Sequence, residues 1–288
     1  MNIPIRARAA AAVLTATALG AASLAAADAT TASFQDSRQT ATDGIPTVVV
    51  RMSDSAVHLS VGHRLHAGRV EFRVRAKSGG DALQLMRLHK GYTMREAQRD
   101  FNKAFGGDTD AIKRVDRRIT FLGGAQARPG HPGRFAVVLH AGRFIVLSQN
   151  ADKFTRLRVF GTPPDRPTVR SSGSITAFTY GFGVTGAPLP NKGWTSVSDR
   201  SDQPHVVIFQ HVKDGTTARQ VRRALRSQQQ PPWLLKANTS TGVLSPNRRE
   251  VFHYNLPAGR YLLLCYWPDD DTGMPHYLMG MWKLVNLR

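Results

Sequence analysis

Cysteine is almost missing from this chain of 288 residues, where Cys265 stands alone. A single thiol excludes an internal disulfide framework, a zinc finger and a cysteine-ligated iron–sulfur cluster built by one chain. Acid is scarce as well: 20 Asp and Glu face 39 Lys and Arg, for a formal net charge of +19. Such an excess favours anionic partners, either an acidic redox protein or an anionic cell-wall polymer. Aromatic residues are few and are not interleaved with the basic ones as stacking platforms, so nucleic acid is a poor explanation of the charge. No Gly-x-Ser-x-Gly elbow, phosphate-binding loop or dinucleotide fingerprint occurs, which leaves an organic catalytic mechanism without support. Beyond the first 30 residues there is no long apolar run, and a polytopic membrane protein is excluded.

What is present begins with a three-part secretory signal over residues 1–27. Arg6 and Arg8 supply the positive region, Val13 to Leu24 the apolar region, and Ala25, Ala26 and Ala27 the small-residue cleavage site. The expected product is a secreted protein, exported by the general secretory route, with no transmembrane span after cleavage. Residues 28–45, rich in Ala, Thr, Ser, Asp and Gln, read as a disordered leader. Export makes the lone thiol conspicuous, because outside the cell it must be buried or bound to something.

From Thr47 onward, period-2 alternation and β-branched residues predict strands. The run Gly161-Thr-Pro-Pro-Asp-Arg-Pro167 divides them, so the expected units are a domain at 46–161, a linker at 162–167 and a domain at 168–288. The two blocks match each other in order. Leu83–Thr93 aligns with Val207–Thr217, each a strand leading through a Gly turn into a helix capped by Thr93 or Thr217. Ala141–Ser148 aligns with Ala258–Cys265. The fold class expected is therefore all-β, two tandem β-sandwiches with one short inserted helix per repeat.

In the second block one strand ends on Cys265, a Pro/Gly loop presents His276, and Met279 and Met281 precede the last strand. Upstream, His205 opens another strand. Two imidazoles, a thiolate and a weak thioether are a donor set suited to copper in electron transfer, since sulfur favours Cu(I) while imidazole keeps Cu(II) accessible. Strand alternation would put Met279 and Met281 on one side and does not choose between them.

With its Cys265…Gly273-Met-Pro-His276…Gly280-Met281 run, the second block resembles the cupredoxins, the blue-copper family, and is also similar to the type 1 copper loop of two-domain copper nitrite reductases. The resemblance implies Greek-key sandwiches. It also implies one mononuclear copper per chain, held by His205, Cys265, His276 and Met281, in a protein that transfers electrons or holds copper. It would make the His276 ring edge, between Pro275 and Tyr277, the electron port, with Trp267 and Met274 keeping water out. No His-x-His pair occurs, which argues against a second copper centre of the oxidase kind. In the first block Asp81 and Ser148 align with His205 and Cys265, so its ligands are lost. The competing reading is a metal-free β-sandwich that serves as a surface binding or adhesion protein. Asp269–Asp271 is expected to be a solvated hairpin tip, and Arg219, Arg222, Arg223 and Arg226 the wet face of a helix.

Overall fold

The computed structural model describes residues 44–149, 153–164, 168–227 and 230–288. The expected signal segment and nearly all of the expected leader lie outside these residues, as does part of the expected linker. In the first half the strands are β1 (Thr47–Met52), β2 (Val57–Leu59), β3 (Arg64–His66), β4 (Gly68–Ala76) and β5 (Asp81–Leu88). Helices α1 (Met94–Ala104) and α2 (Thr109–Arg118) follow, then β6 (Ile119–Ala127), β7 (Gly133–Leu139), β8 (Gly142–Ser148) and β9 (Lys153–Phe160). The second half has β10 (Ser174–Phe178), β11 (Gly181–Thr185), β12 (Lys192–Asp199), β13 (Ile208–Val212), α3 (Ala218–Ser227) and β14 (Leu234–Ser240). It ends with β15 (Arg249–Asn255), β16 (Gly259–Leu264) and β17 (Trp282–Leu287).

The fold is mostly β and sandwich-like. Strand pairing follows one scheme in both halves: β1 runs parallel to β4 and β10 parallel to β12, while β5 pairs with β6 and β8 as β13 pairs with β14 and β16. Alternation explains the inward faces, as in β1, where Val48, Val50 and Met52 are buried between exposed or half-buried neighbours. Across the second sandwich Phe209 of β13 packs on Phe252 and Tyr254 of β15, with ring centroids 6.1 and 5.1 Å apart. The sequence predicts one helix per half, but the first half has two. Gly106 and Gly107 interrupt the helical run, Gly107 with φ +89°, and Asp108 restarts it by accepting the Ala111 N–H at 2.9 Å.

The halves share a sheet. β15 pairs with β7 through Val251↔Ala136, Phe252↔Phe135 and His253↔Arg134, giving one eight-stranded sheet in the order β11-β10-β12-β15-β7-β4-β1-β2. Ile45, assigned to the leader by composition, is buried against Ala136, Val169, Trp194 and Val251 from both halves. A polar seam runs beside this sheet. Gln84 is buried, and its amide donates to the carbonyls of Leu85, Gly123 and Val243 and accepts from the Val243 N–H at 2.7 Å. Gly124 N–H donates to Glu250 Oε2 at 2.8 Å, and full burial raises the Glu250 carboxyl well above its ordinary range.

The backbones at this seam approach so closely that only glycine fits. A Cβ on Gly242 would lie far inside van der Waals contact with the Gly123 carbonyl carbon and the Gly124 nitrogen. Gly242→Ala is expected to lower the denaturant midpoint, with a loss of about 3 kcal/mol or more. Gly181→Ala, where no atom lies within 4 Å of the added Cβ, is expected to change it little. Equal midpoints for the two variants in urea unfolding would refute this account of the seam.

Candidate metal centre

His205, Cys265 and His276 come together although they leave three different segments. His205 precedes β13 and is held by a two-way backbone pair with Leu244, at 2.9 and 2.8 Å. Cys265 follows β16. Beyond it the chain turns back on itself: Asp269 N–H donates to Met274 O at 2.8 Å, His276 N–H to Trp267 O at 2.9 Å and Tyr277 N–H to Cys265 O at 2.7 Å. The ten residues between the thiol and the imidazole therefore form a paired hairpin rather than a loose loop. His276 starts a 3-10 turn that runs to Met279.

Cys265 Sγ lies 3.6 Å from His205 Nδ1 and 3.7 Å from His276 Nδ1, and the two nitrogens are 3.0 Å apart. All three residues are buried, and among the described residues they are the one group of three or more His, Cys, Asp or Glu able to hold a metal ion. A point equidistant from the three atoms is about 2.0 Å from each, the length of a metal–imidazole bond. Burial lowers His205 to about 3, with help from His276, so this ring is neutral at pH 7. His276 is lowered to about 4 by burial, against the opposing pull of Asp269 and Asp202. Burial pushes the Cys265 thiol up to about 12, although the Val206 and Trp267 N–H groups pull it down. Both rings are thus neutral, each with one nitrogen lone pair, and a cation bound here would displace the thiol proton.

Met281 is fully buried, and its backbone ties the ligand segments together. Its N–H donates to His276 O at 3.0 Å and its carbonyl accepts from Cys265 N–H at 3.2 Å. Met279 belongs to the 3-10 turn rather than to a strand; it is half-buried, with its thioether 3.7 Å from the Thr272 hydroxyl oxygen, whose proton goes to Asp269. The shared side expected for the two methionines is therefore absent. His58, His63 and His66 are exposed and apart from this centre.

Behind His276 stands a chain of groups that sequence reasoning missed. His276 Nε2 lies 3.0 Å from Gln203 Oε1, which takes its proton and leaves Nδ1 with a lone pair facing the sulfur. Gln203 Nε2 donates to Asp269 Oδ2 at 3.0 Å, and Tyr180 Oη donates to the same oxygen at 2.6 Å. Asp269 Oδ1 accepts from the Thr272 N–H and hydroxyl. The expected solvated tip is therefore half wrong: Asp271 is exposed, but Asp269 is buried and organises the hairpin. Tyr180 has φ +58°, a conformation costly for a bulky residue, in the tight β10–β11 turn, and its ring meets His276 edge-on at 5.6 Å.

The exposed ring edge expected for His276 does not occur, because Tyr180, Gln203 and the Asp269 hairpin cover it and leave it 0% exposed. Trp267 is buried as expected, whereas Met274 is 46% exposed and excludes no water. In the first half Ser148 donates to Asp81; these two residues align with Cys265 and His205. The register is the same: Ser148 faces Leu83, two residues after Asp81, and Cys265 follows Leu264, which faces Ile208.

No family model matches the sequence, and no curated protein matches it either. Among solved structures, the chain is similar to auracyanin from Roseiflexus castenholzii, at 19% identity over 40% of this chain and 94% of that one, with a TM-score of 0.25. Auracyanin A, a blue copper protein from Chloroflexus aurantiacus, is 14% identical over 40% of this chain and 99% of that one, with a TM-score of 0.28. The copper-containing nitrite reductase of Thermus scotoductus is 10% identical, covering 84% of this chain and 61% of that one, with a TM-score of 0.23.

Acid should attack the hairpin through Asp269. Burial alone would raise this carboxyl, but the hydrogen bonds from Thr272, Tyr180 and Gln203 outweigh it and hold the group well below the usual carboxylate range. Its folded pKa is depressed, so its stabilisation is complete above about pH 4 and is lost as pH falls below that. Asp269→Asn is expected to cost roughly 1–3 kcal/mol at pH 7 and less as pH drops toward 3. Chemical unfolding of both proteins across that range checks this; a difference that stays constant with pH would contradict it.

Proposed function

We propose that this protein is an exported mononuclear copper protein of the type 1 kind, working as an electron carrier or a copper holder. The observation that carries the reading is the convergence of one thiol and two neutral imidazole nitrogens within 3.7 Å, in a buried place. His205 Nδ1, His276 Nδ1 and Cys265 Sγ would hold the copper, with the Met281 thioether as the weak fourth donor. Bound copper would supply a one-electron couple between Cu(I) and Cu(II). The chain's own part is to keep that couple in one geometry. Gln203 holds His276 in the required tautomer, Asp269 orients Gln203, and Val206 donates its N–H toward the sulfur at 3.5 Å. The metal-free adhesion reading requires these donors to be scattered, and the convergence counts against it.

Export rests on the Arg6/Arg8 and alanine-rich start. No helix among the described residues is long and apolar enough to cross a membrane. For a partner, the observations favour an acidic redox protein. Helix α3 buries Val221 against Val212, Trp233 and Leu262 and turns Arg219, Arg222, Arg223 and Arg226 to solvent. Like charges at this spacing weaken a helix, and among the described residues none of the four has an acidic partner. The same helix touches the 3-10 turn that begins at His276. An anionic partner attracted there would come to rest beside the ligand hairpin.

Adding Cu(II) to the purified protein is expected to give one copper per chain and an intense visible thiolate-to-copper band, absent in Cys265→Ser. Gln203→Leu should keep the band and weaken copper affinity roughly 10- to 100-fold. A colourless wild type, or colour that survives Cys265→Ser, would end the copper reading. Stopped-flow oxidation of the reduced protein by anionic ferricyanide should slow with rising salt. Arg222→Glu with Arg223→Glu should slow it at low salt and flatten that dependence. Identical salt profiles for the variant and wild type would remove the arginine face from the mechanism.

A further inference from the structure

The first half lacks a donor triad among its described residues, yet it grips both ligand-bearing segments of the second. On one side is β6. Leu122 bridges Leu244, Gly123 N–H donates to Val243 O at 3.0 Å, and Ser245 N–H donates to Phe121 O at 3.0 Å. The strap 243–245 held in this way is the one whose Leu244 pairs in both directions with His205. Phe121 N–H also donates to Ser245 Oγ at 2.9 Å.

On the other side is the α1–α2 hairpin. Phe105, at the end of α1, and Phe121, at the start of β6, meet the Trp267 indole edge-on at 5.8 and 5.2 Å. Lys113 Nζ of α2 pairs with Asp271 at 2.8 Å. The turn between the two helices reaches the ligand hairpin at its tip, where a Cβ on Gly273 would lie 2.7 Å from the Gly107 carbonyl oxygen. Gly273 has φ +70°, so glycine is required there for conformation and for closeness alike.

We propose that the first half is a positioning clamp: its β6 strand and α1–α2 hairpin fix the His205 segment and the Cys265–His276 hairpin in their donor geometry before any metal arrives. Ten residues between two donors would otherwise have to be ordered on binding, at the expense of affinity. The purpose of the clamp rests on the copper reading, but its mechanical content does not. The surface ion pair alone contributes little, because Asp271 is 78% exposed, so the aromatic contact to Trp267 is the larger part.

The test uses the full chain without metal. Backbone amide hydrogen exchange of residues 266–274 is compared in wild type, Phe105→Ala/Lys113→Ala, and Phe154→Ala, a control on the exposed face of β9. Faster exchange in the hairpin of the double variant, with wild-type rates in the control, is expected. To separate this from general destabilisation, Lys113→Glu should also loosen the hairpin, and Lys113→Glu/Asp271→Lys should restore it. With copper loaded, the double variant should shift the thiolate band and release copper to a chelator roughly 10-fold faster. Unchanged hairpin exchange in the metal-free double variant would overturn the clamp. A wild type that never develops the band would defeat the copper reading while leaving the exchange result to stand.

Discussion

Everything in this molecule depends on keeping three good donors next to one another in a place that water does not reach. Two ring nitrogens 3.0 Å apart and a sulfur less than 4 Å from both form an arrangement that few folded chains would choose for stability. Burial resolves the electrostatic side by keeping both rings neutral and the thiol protonated, so no net charge is stranded. The geometric side is settled by backbone ladders. Leu244 fixes His205, and Met281 joins His276 to Cys265 through one donated and one accepted hydrogen bond. A main-chain ladder is a stiffer support than a side-chain contact, because moving one donor would break several bonds together.

The second tier of support is polar and has one centre. Asp269 accepts from Tyr180, Gln203 and Thr272, and Gln203 in turn fixes the proton of His276. A carboxylate can serve in this way only if its burial is offset at every oxygen, and here both oxygens are occupied. The left-handed backbone of Tyr180 fits the same picture. A strained turn is tolerated because the hydroxyl at its tip finds a buried anion, and the ring then closes the space above His276.

How much of this could be read from the chain follows from the kind of signal each part leaves. His205, Cys265 and His276 were legible as a donor set at strand ends and in a Pro/Gly loop, and the cupredoxin resemblance, not alternation, singled out Met281 over Met279. The strand-to-helix passage in each half was legible as well, since Leu83–Thr93 and Val207–Thr217 carry matching patterns. Gln203, Asp269 and Tyr180 left no such trace, because their roles arise from how three loops fold over one ring. The second helix escaped the sequence reading because Gly106 and Gly107 break the helical run and Asp108 begins a new cap at once. Nor did anything local mark Gly123, Gly124 and Gly242 as a seam, since their closeness joins residues more than a hundred positions apart.

The seam also bears on the first half, which brings no donor triad together among its described residues. Asp81 and Ser148, the residues aligned with His205 and Cys265, hydrogen-bond to each other and tie their two strand ends together. The strand beside them, β6, meets its neighbour across the seam. β6 does so with backbone groups at Phe121 and Gly123, and it needs glycine at Gly123 so that Glu250 can approach and at Gly124 because a Cβ there would run into the Leu83 carbonyl. The physical requirement on the first half is thus closeness rather than chemistry. The donor set in one half is reached only indirectly, through the 243–245 strap that the backbone of the other half holds by hydrogen bonds.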